Sequence, residues 1–119
     1  MPTDKERAYT SAEIARELQG LPGWRDDGGW LVRAYETEGW PTTLLLVNAI
    51  GYVAEAADHH PDLAVSWARV VVKLQTHTAG GITAKDVELA RAIDAAALWR
   101  PSGGALRGTS RAFVRPAGS

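Results

Sequence analysis

The chain contains no cysteine. Disulfides, thiolate catalysis and zinc sites with sulfur ligands are therefore excluded, and any metal would have to be held by histidine and carboxylate. Long apolar runs are missing too. The longest, Leu44 to Ile50, is interrupted by Asn48 and falls well short of the roughly 20 residues that span a bilayer. Met1 to Arg7 is charged and no apolar stretch follows it, so nothing there reads as a signal peptide. The expectation is a cytoplasmic protein with no membrane contact. Neither sign of charge is in excess: 13 Lys and Arg against 14 Asp and Glu give a formal net charge of -1. No general attraction for nucleic acid follows from that balance. The local exception is Arg100, Arg107, Arg111 and Arg115 near the end, whose plain reading is a solvated tail. Internal repeats and low-complexity tracts are absent.

What is present suits one soluble globular domain. The 119 residues are enough for a single core but not for two, and 45% hydrophobic with 23% charged residues argues against disorder. Thr10-Ser11-Ala12-Glu13 has the capping-box pattern, and Ile14 and Leu18 recur at helical spacing until Gly20 and Pro22, which predicts a helix over 11–19. Trp24 to Asp26 and Trp30 to Glu36 flank Asp27-Gly28-Gly29 and read as a hairpin. Pro41 opens a second helix, 41–57, with Leu44, Leu45, Val47, Ala49, Tyr52, Val53 and Ala56 on a broad apolar face. Gly51 within it weakens a helix, so close packing against it is expected.

After Pro61, Leu63, Val65 and Trp67 alternate with Ala64 and Ser66, and Val70, Val72 and Leu74 alternate with Val71, Lys73 and Gln75. Two strands meeting near Ala68-Arg69 are predicted. Thr83 then caps a last helix over 84–97, with Asp86 at its third position and Val87, Ala90, Ile93 and Ala97 on one stripe. Helix, hairpin, helix, hairpin, helix describes an α+β fold, an antiparallel sheet covered on one face by helices.

The chemistry is concentrated in one stretch. All three histidines lie between positions 59 and 77, in the pattern Glu55-x-x-x-His59-His60-Pro61, followed by Trp67, His77 and Asp86. Imidazoles give and take protons near neutral pH, so three of them beside two carboxylates are equipped for proton transfer without metal or organic cofactor. Glu55 lies one helical turn before His59, which would let the carboxylate orient that ring if the helix persists. His59 and His60 are neighbours that point apart, with Pro61 holding His60 out of the helical conformation, and this divergence argues against a shared metal ion. His77 is expected at the end of the fourth strand, in register with Lys73 and Gln75 and away from the Val72 and Leu74 stripe. Each residue also has a plainer role. Glu55 would be a solvated helix residue, His59 a cation near a helix C-terminus, His77 a surface histidine, Asp86 the reciprocal cap of Thr83, and Trp67 a core residue beside Leu63 and Val65.

Taken with Gly80-Gly81 and Thr83-Ala84-Lys85-Asp86, the histidine pattern resembles the pterin-4a-carbinolamine dehydratase (4a-hydroxytetrahydrobiopterin dehydratase) family. The resemblance runs from about Ser11 to Leu98 and is densest from Glu55 to Asp94. It implies a domain over 1–98 with a four-stranded antiparallel sheet and three helices on one face, and an extension over 99–119. It also implies dehydration of 4a-hydroxytetrahydropterin to the quinonoid dihydropterin, the step that regenerates the cofactor of aromatic amino-acid hydroxylation. By matching positions, His59, His60 and His77 would be the acid/base and substrate-holding groups, Glu55 and Asp86 would support them, and Trp67 would stack on the pterin ring. No metal and no further cofactor is implied. A homodimer or homotetramer is, and the strand after Pro61 offers an edge for such pairing.

Three features depart from the common pattern of the family. Leu63 stands where animal members often carry tryptophan, and Tyr35, Thr37, Trp40 and Leu44 stand where phenylalanines are common. The third is the extension beginning Trp99-Arg100-Pro101. Together with Thr43 to Gly51 and Ala54 to Ala57, it looks like a divergent bacterial branch whose members include α-carboxysome-associated Rubisco assembly factors. For that branch the resemblance implies Rubisco as partner and a catalytically silent cleft. Trp99 and Phe113 would then either fold back over the sheet or dock on a partner.

Overall fold

The computed structural model describes residues 6–111 and 113–117. The first five residues of the expected domain, and positions 112, 118 and 119 of the extension, lie outside the described residues. Eight residues, Ser11–Leu18, form α1; β1 is Arg25–Asp27 and β2 Trp30–Glu36; α2 is Trp40–Ala57; β3 is Asp62–Ser66 and β4 Arg69–Leu74; α3 is Ala84–Ala97. The four strands form one antiparallel sheet in the order β1-β2-β4-β3, so the two hairpins join through their second strands and β3 is an edge. The expected α+β architecture is the observed one.

Both capping boxes predicted from sequence are made. Thr10 accepts from the Glu13 amide while Glu13 accepts from the Thr10 amide, and Thr83 with Asp86 does the same for α3. On the sheet, Leu31, Tyr35, Val70, Val72 and Leu74 share one face and are 1% exposed or less. Against them α1 places Ile14, α2 places Leu46 and Ile50, and α3 places Val87, Ala90 and Ile93 in one continuous core. Burying each of the larger side chains contributes about 1.5–3 kcal/mol.

Both hairpin boundaries differ from expectation by one residue. Asp27 pairs with Trp30, so the turn is Gly28-Gly29, both at positive φ (61° and 89°), and Trp24 is not in the strand but buried ahead of it. In the second hairpin Ser66 pairs with Arg69, which makes the turn Trp67-Ala68 rather than Ala68-Arg69. Trp67 is therefore a turn residue and exposed, not a core residue of a strand face. Gly51 is also exposed, with nothing near the place its Cβ would take, so the expected close packing is not found among the described residues. The extension is not wholly a solvated tail. Val114 is buried and forms a bridge with Thr37, the Arg115 amide donates to the Glu36 carbonyl at 2.9 Å, and Arg111 pairs with Glu38.

A cation lies in the core. Arg33 sits on the helix-facing side of β2 between Leu31 and Tyr35 and is 2% exposed. Its Nη1 donates to Asp94 Oδ1 at 2.9 Å and to the Pro22 carbonyl at 3.2 Å, and the guanidinium lies 4.4 Å over the Tyr35 ring. The Tyr35 hydroxyl donates to the same Asp94 oxygen, and Trp24 Nε1 donates to Oδ2 at 2.9 Å. Burial, then the hydrogen bond to Asp94, push the Tyr35 phenol upward from its ordinary 10.0. A raised pKa means that the folded state holds this proton more tightly than the unfolded chain. Its contribution to stability is thus fully present below pH 10.0 and is lost as pH rises above it. Urea unfolding across that alkaline range should show a steeper loss of stability for the parent than for Tyr35→Phe; equal slopes would mean that the phenol is solvated.

Candidate active site

The histidines gather where α2 ends, β3 begins, β4 ends and α3 begins. Asp58 stops α2 by adopting the left-handed conformation (φ 53°, ψ 42°), which aspartate tolerates better than most residues. Its amide and that of His59 still donate to carbonyls in the last helical turn. The chain then leaves the helix axis, and Pro61 leads it into β3. Because Asp62 pairs with Lys73, this segment runs alongside the end of β4.

The reversal decides which carboxylate meets which ring. Glu55 does not meet His59 as helical spacing suggests; its Oε1 lies 2.8 Å from Nε2 of His60 instead. Both side chains are largely exposed, 57% for His60 and 82% for Glu55, so the pair orients loosely and adds little stability. His59 turns inward. Its Nε2 is 2.6 Å from Oδ1 of Asp86, which is fully buried.

Asp86 holds both of the roles its position suggested. Oδ2 accepts from the Thr83 amide at 2.9 Å, the reciprocal cap, and from Thr76 Oγ1 at 2.8 Å. Oδ1 is left for His59. A carboxylate only accepts, so Nε2 of His59 carries the hydrogen, and in the neutral ring the lone pair is left on Nδ1. The two threonine hydroxyls also bond each other at 2.8 Å, completing a buried polar cluster. Thr76 carries no motif and was not apparent from sequence; its only signal is adjacency to His77. Trp30 was read only as a strand residue, and Lys85 was quoted in the motif Thr83-Ala84-Lys85-Asp86 without a role of its own.

His77 follows Thr76 but is not a strand end. The ladder stops at Leu74, and His77 opens a 3-10 turn, His77–Ala79, closed by Gly80 at φ 68°. It does keep the side expected of it. Its ring meets the edge of Trp30 at a centroid distance of 6.4 Å, and Lys73 Nζ lies 4.9 Å over the same indole. Trp67 is the residue the structure separates from the rest. It lies beyond the far end of the five-residue β3, roughly 16 Å of extended chain from the histidine end.

An open cavity of about 370 Å³ adjoins His59, walled by Ala57, Asp58, Lys85, Glu88, Leu89 and Ala92 from α2 and α3. That volume is in the range of small-molecule sites. His60 and His77 stand outside its walls. Among the described residues no three histidine, cysteine, aspartate or glutamate side chains are arranged to hold a metal ion. No helix among the described residues is long and apolar enough to cross a membrane.

A four-stranded antiparallel sheet backed by three helices, with His-His-Pro at one end and His59 facing the capping Asp86, defines a pterin dehydratase-like fold. The chain belongs to the family described as Pterin 4 alpha carbinolamine dehydratase, which matches residues 7–96. It is 48% identical over 88 residues to an Aquifex aeolicus protein named "Putative pterin-4-alpha-carbinolamine dehydratase", covering 74% of this chain and 89% of that one. A Nocardia farcinica protein of the same name is 43% identical over 82 residues, covering 69% and 86%. The crystal structure of a transcriptional coactivator/pterin dehydratase from Brucella melitensis superimposes with a TM-score of 0.73 at 29% identity, covering 76% of this chain and 99% of that chain.

Proposed function

We propose that the protein dehydrates 4a-hydroxytetrahydropterin to the quinonoid dihydropterin by histidine acid/base catalysis. The observation that carries this reading is the His59–Asp86 pair, an imidazole fixed in one tautomer by a buried carboxylate and set beside an open cavity. Loss of the N5 proton to a base and protonation of the departing 4a-hydroxyl, which leaves as water, create the C4a=N5 double bond. His59 offers Nδ1 as the oriented base. In this reading His60 and His77, exposed at the same end of the sheet, hold the substrate and protonate the hydroxyl, and Glu55 steadies His60. The chain would work in the cytoplasm as a homodimer or homotetramer, a reading supported by the free edge of β3 and by exposed Leu44, Leu45 and Tyr52 on α2.

The test is the dehydration rate of 4a-hydroxytetrahydropterin with purified protein, beside His60→Ala. A large acceleration over the uncatalysed reaction, lost in the variant, is expected. A well-folded sample that gives only the uncatalysed rate overturns the reading. One observation favours a second reading, a catalytically silent family member assisting Rubisco assembly in the α-carboxysome: residues beyond the matched 7–96 are docked on β2 rather than trailing in solvent. Co-expression with Rubisco, read as the yield of assembled enzyme with and without this protein, tests it.

A further inference from the structure

The extension builds a second cavity away from the histidines, and the geometry points to it as a docking site for a short acidic peptide segment that presents an apolar side chain. The cavity is about 290 Å³ and open, with Trp99, Pro101, Leu106 and Phe113 as its apolar lining and Arg100, Arg107 and Thr109 as its polar lining. This lies outside the family-matched residues 7–96 and does not depend on whether the histidines catalyse.

The walls are fixed at several points. Gly108, at φ 79°, packs so closely on Pro101 that a Cβ there would come within 3.3 Å of the ring, which closes the loop upon itself. Phe113 is held from below, because its carbonyl accepts from the Glu38 amide and the next residue, Val114, bridges Thr37. Arg100 ties the start of the loop to its end by donating to the Val114 carbonyl at 3.0 Å, with its guanidinium 5.6 Å over the Phe113 ring. An apolar groove is thus held open while Trp99 and Leu106 remain 61% and 65% exposed.

Charge selects the occupant. Residues 99–119 contain Arg100, Arg107, Arg111 and Arg115 and no aspartate or glutamate, although the whole chain has a formal net charge of -1. Arg100 is committed to Val114 and Arg111 to Glu38. The Arg107 and Arg115 side chains have no hydrogen-bond or ion-pair partner among the described residues, and Arg107 lines the cavity. A groove with apolar walls and an uncommitted guanidinium complements an apolar side chain flanked by carboxylates. Two free arginines are few for a phosphate backbone, whose affinity grows with the number of neutralised phosphates. Among the described residues that line the groove none is buried and polar, as a residue orienting a small molecule would be, which favours a peptide segment.

The probe is a blocked, fluorescently labelled peptide with a phenylalanine-leucine pair between runs of aspartate and glutamate, titrated with the full chain and read by anisotropy. Saturable binding is expected, weakening as salt rises. It should be about tenfold weaker both for Arg107→Glu and for a peptide with alanines at its centre. Thermal unfolding of Arg107→Glu, unchanged from the parent, keeps a lost fold from imitating a lost contact. No saturation up to about 1 mM peptide overturns the proposal. So does equal binding by Arg107→Glu, by the alanine-centred peptide or by a lysine-flanked version, and so does tighter binding of a single-stranded oligonucleotide through Arg107.

Discussion

Asp86→Asn is expected to slow pterin dehydration by roughly a hundredfold to ten-thousandfold while leaving a folded protein. The reason is the direction of each hydrogen bond. The Thr83 amide can only donate, so the asparagine carbonyl oxygen takes the position of Oδ2. The NH2 group then faces Nε2 of His59, where Oδ1 now accepts at 2.6 Å. Two donors cannot share that contact, and the imidazole must shift its hydrogen to Nδ1, the nitrogen needed as the base. Orientation survives and the tautomer is wrong, the same logic by which an aspartate governs a catalytic histidine elsewhere. The cap is kept, so the stability loss should be about 1 kcal/mol. Turnover measured beside thermal unfolding separates the two effects. A rate unchanged from the parent, in a variant that still folds, would remove His59 from the chemistry and leave Asp86 as a helix cap alone.

What could be read from sequence follows what is local. The capping boxes at Thr10 and Thr83, the turn glycines 28 and 29 and the stripe from Val87 to Ala97 are contacts between residues a few positions apart, and those elements fall within a residue or two of expectation. Trp67 was misplaced by the one-residue error in the second turn: the alternation breaks between Trp67 and Val70, but no glycine or asparagine in Ser66-Trp67-Ala68-Arg69 fixes which two residues make the turn. The pairing of Glu55 with His60 was misjudged because helical spacing was extended to His59, beyond the end of α2 at Ala57. The left-handed Asp58 ends the helix without the glycine that usually announces such a stop. The family pattern named the histidines but not their geometry. That Asp86 reaches His59 depends on β4 and α3 converging at Thr76 and Thr83, a tertiary fact with no periodic trace. The docking of Val114 on Thr37 likewise joins positions 77 residues apart, and no local rule foretells it.

The same gap hides the network around Asp94, and removing that carboxylate should have the largest effect on stability. Asp94→Ala is expected to cost about 3–5 kcal/mol, because it leaves the Arg33 guanidinium buried without its counter-charge. Arg33 is 2% exposed and its Nε already has no hydrogen-bond partner among the described residues, so little is in reserve to compensate. For a domain whose whole stability is of the order of 5–15 kcal/mol, that loss decides whether it folds at all. The measurement is the urea midpoint at constant slope, which reports stability rather than a changed denatured state. A double variant, Arg33→Met with Asp94→Leu, divides the loss further. Replacing a buried ion pair by apolar groups is often neutral or better, but here Tyr35 and Trp24 also donate to Asp94. Each donor left unsatisfied costs about 1–3 kcal/mol, so the double variant should recover only part of the stability. Full recovery would mean that the hydroxyl and indole find water, and a loss under about 1 kcal/mol for Asp94→Ala would mean that the pair itself is solvated. Between those outcomes lies the arrangement described, in which one aspartate on α3 accepts from β2 and from the segment before β1 and holds the helix against the sheet.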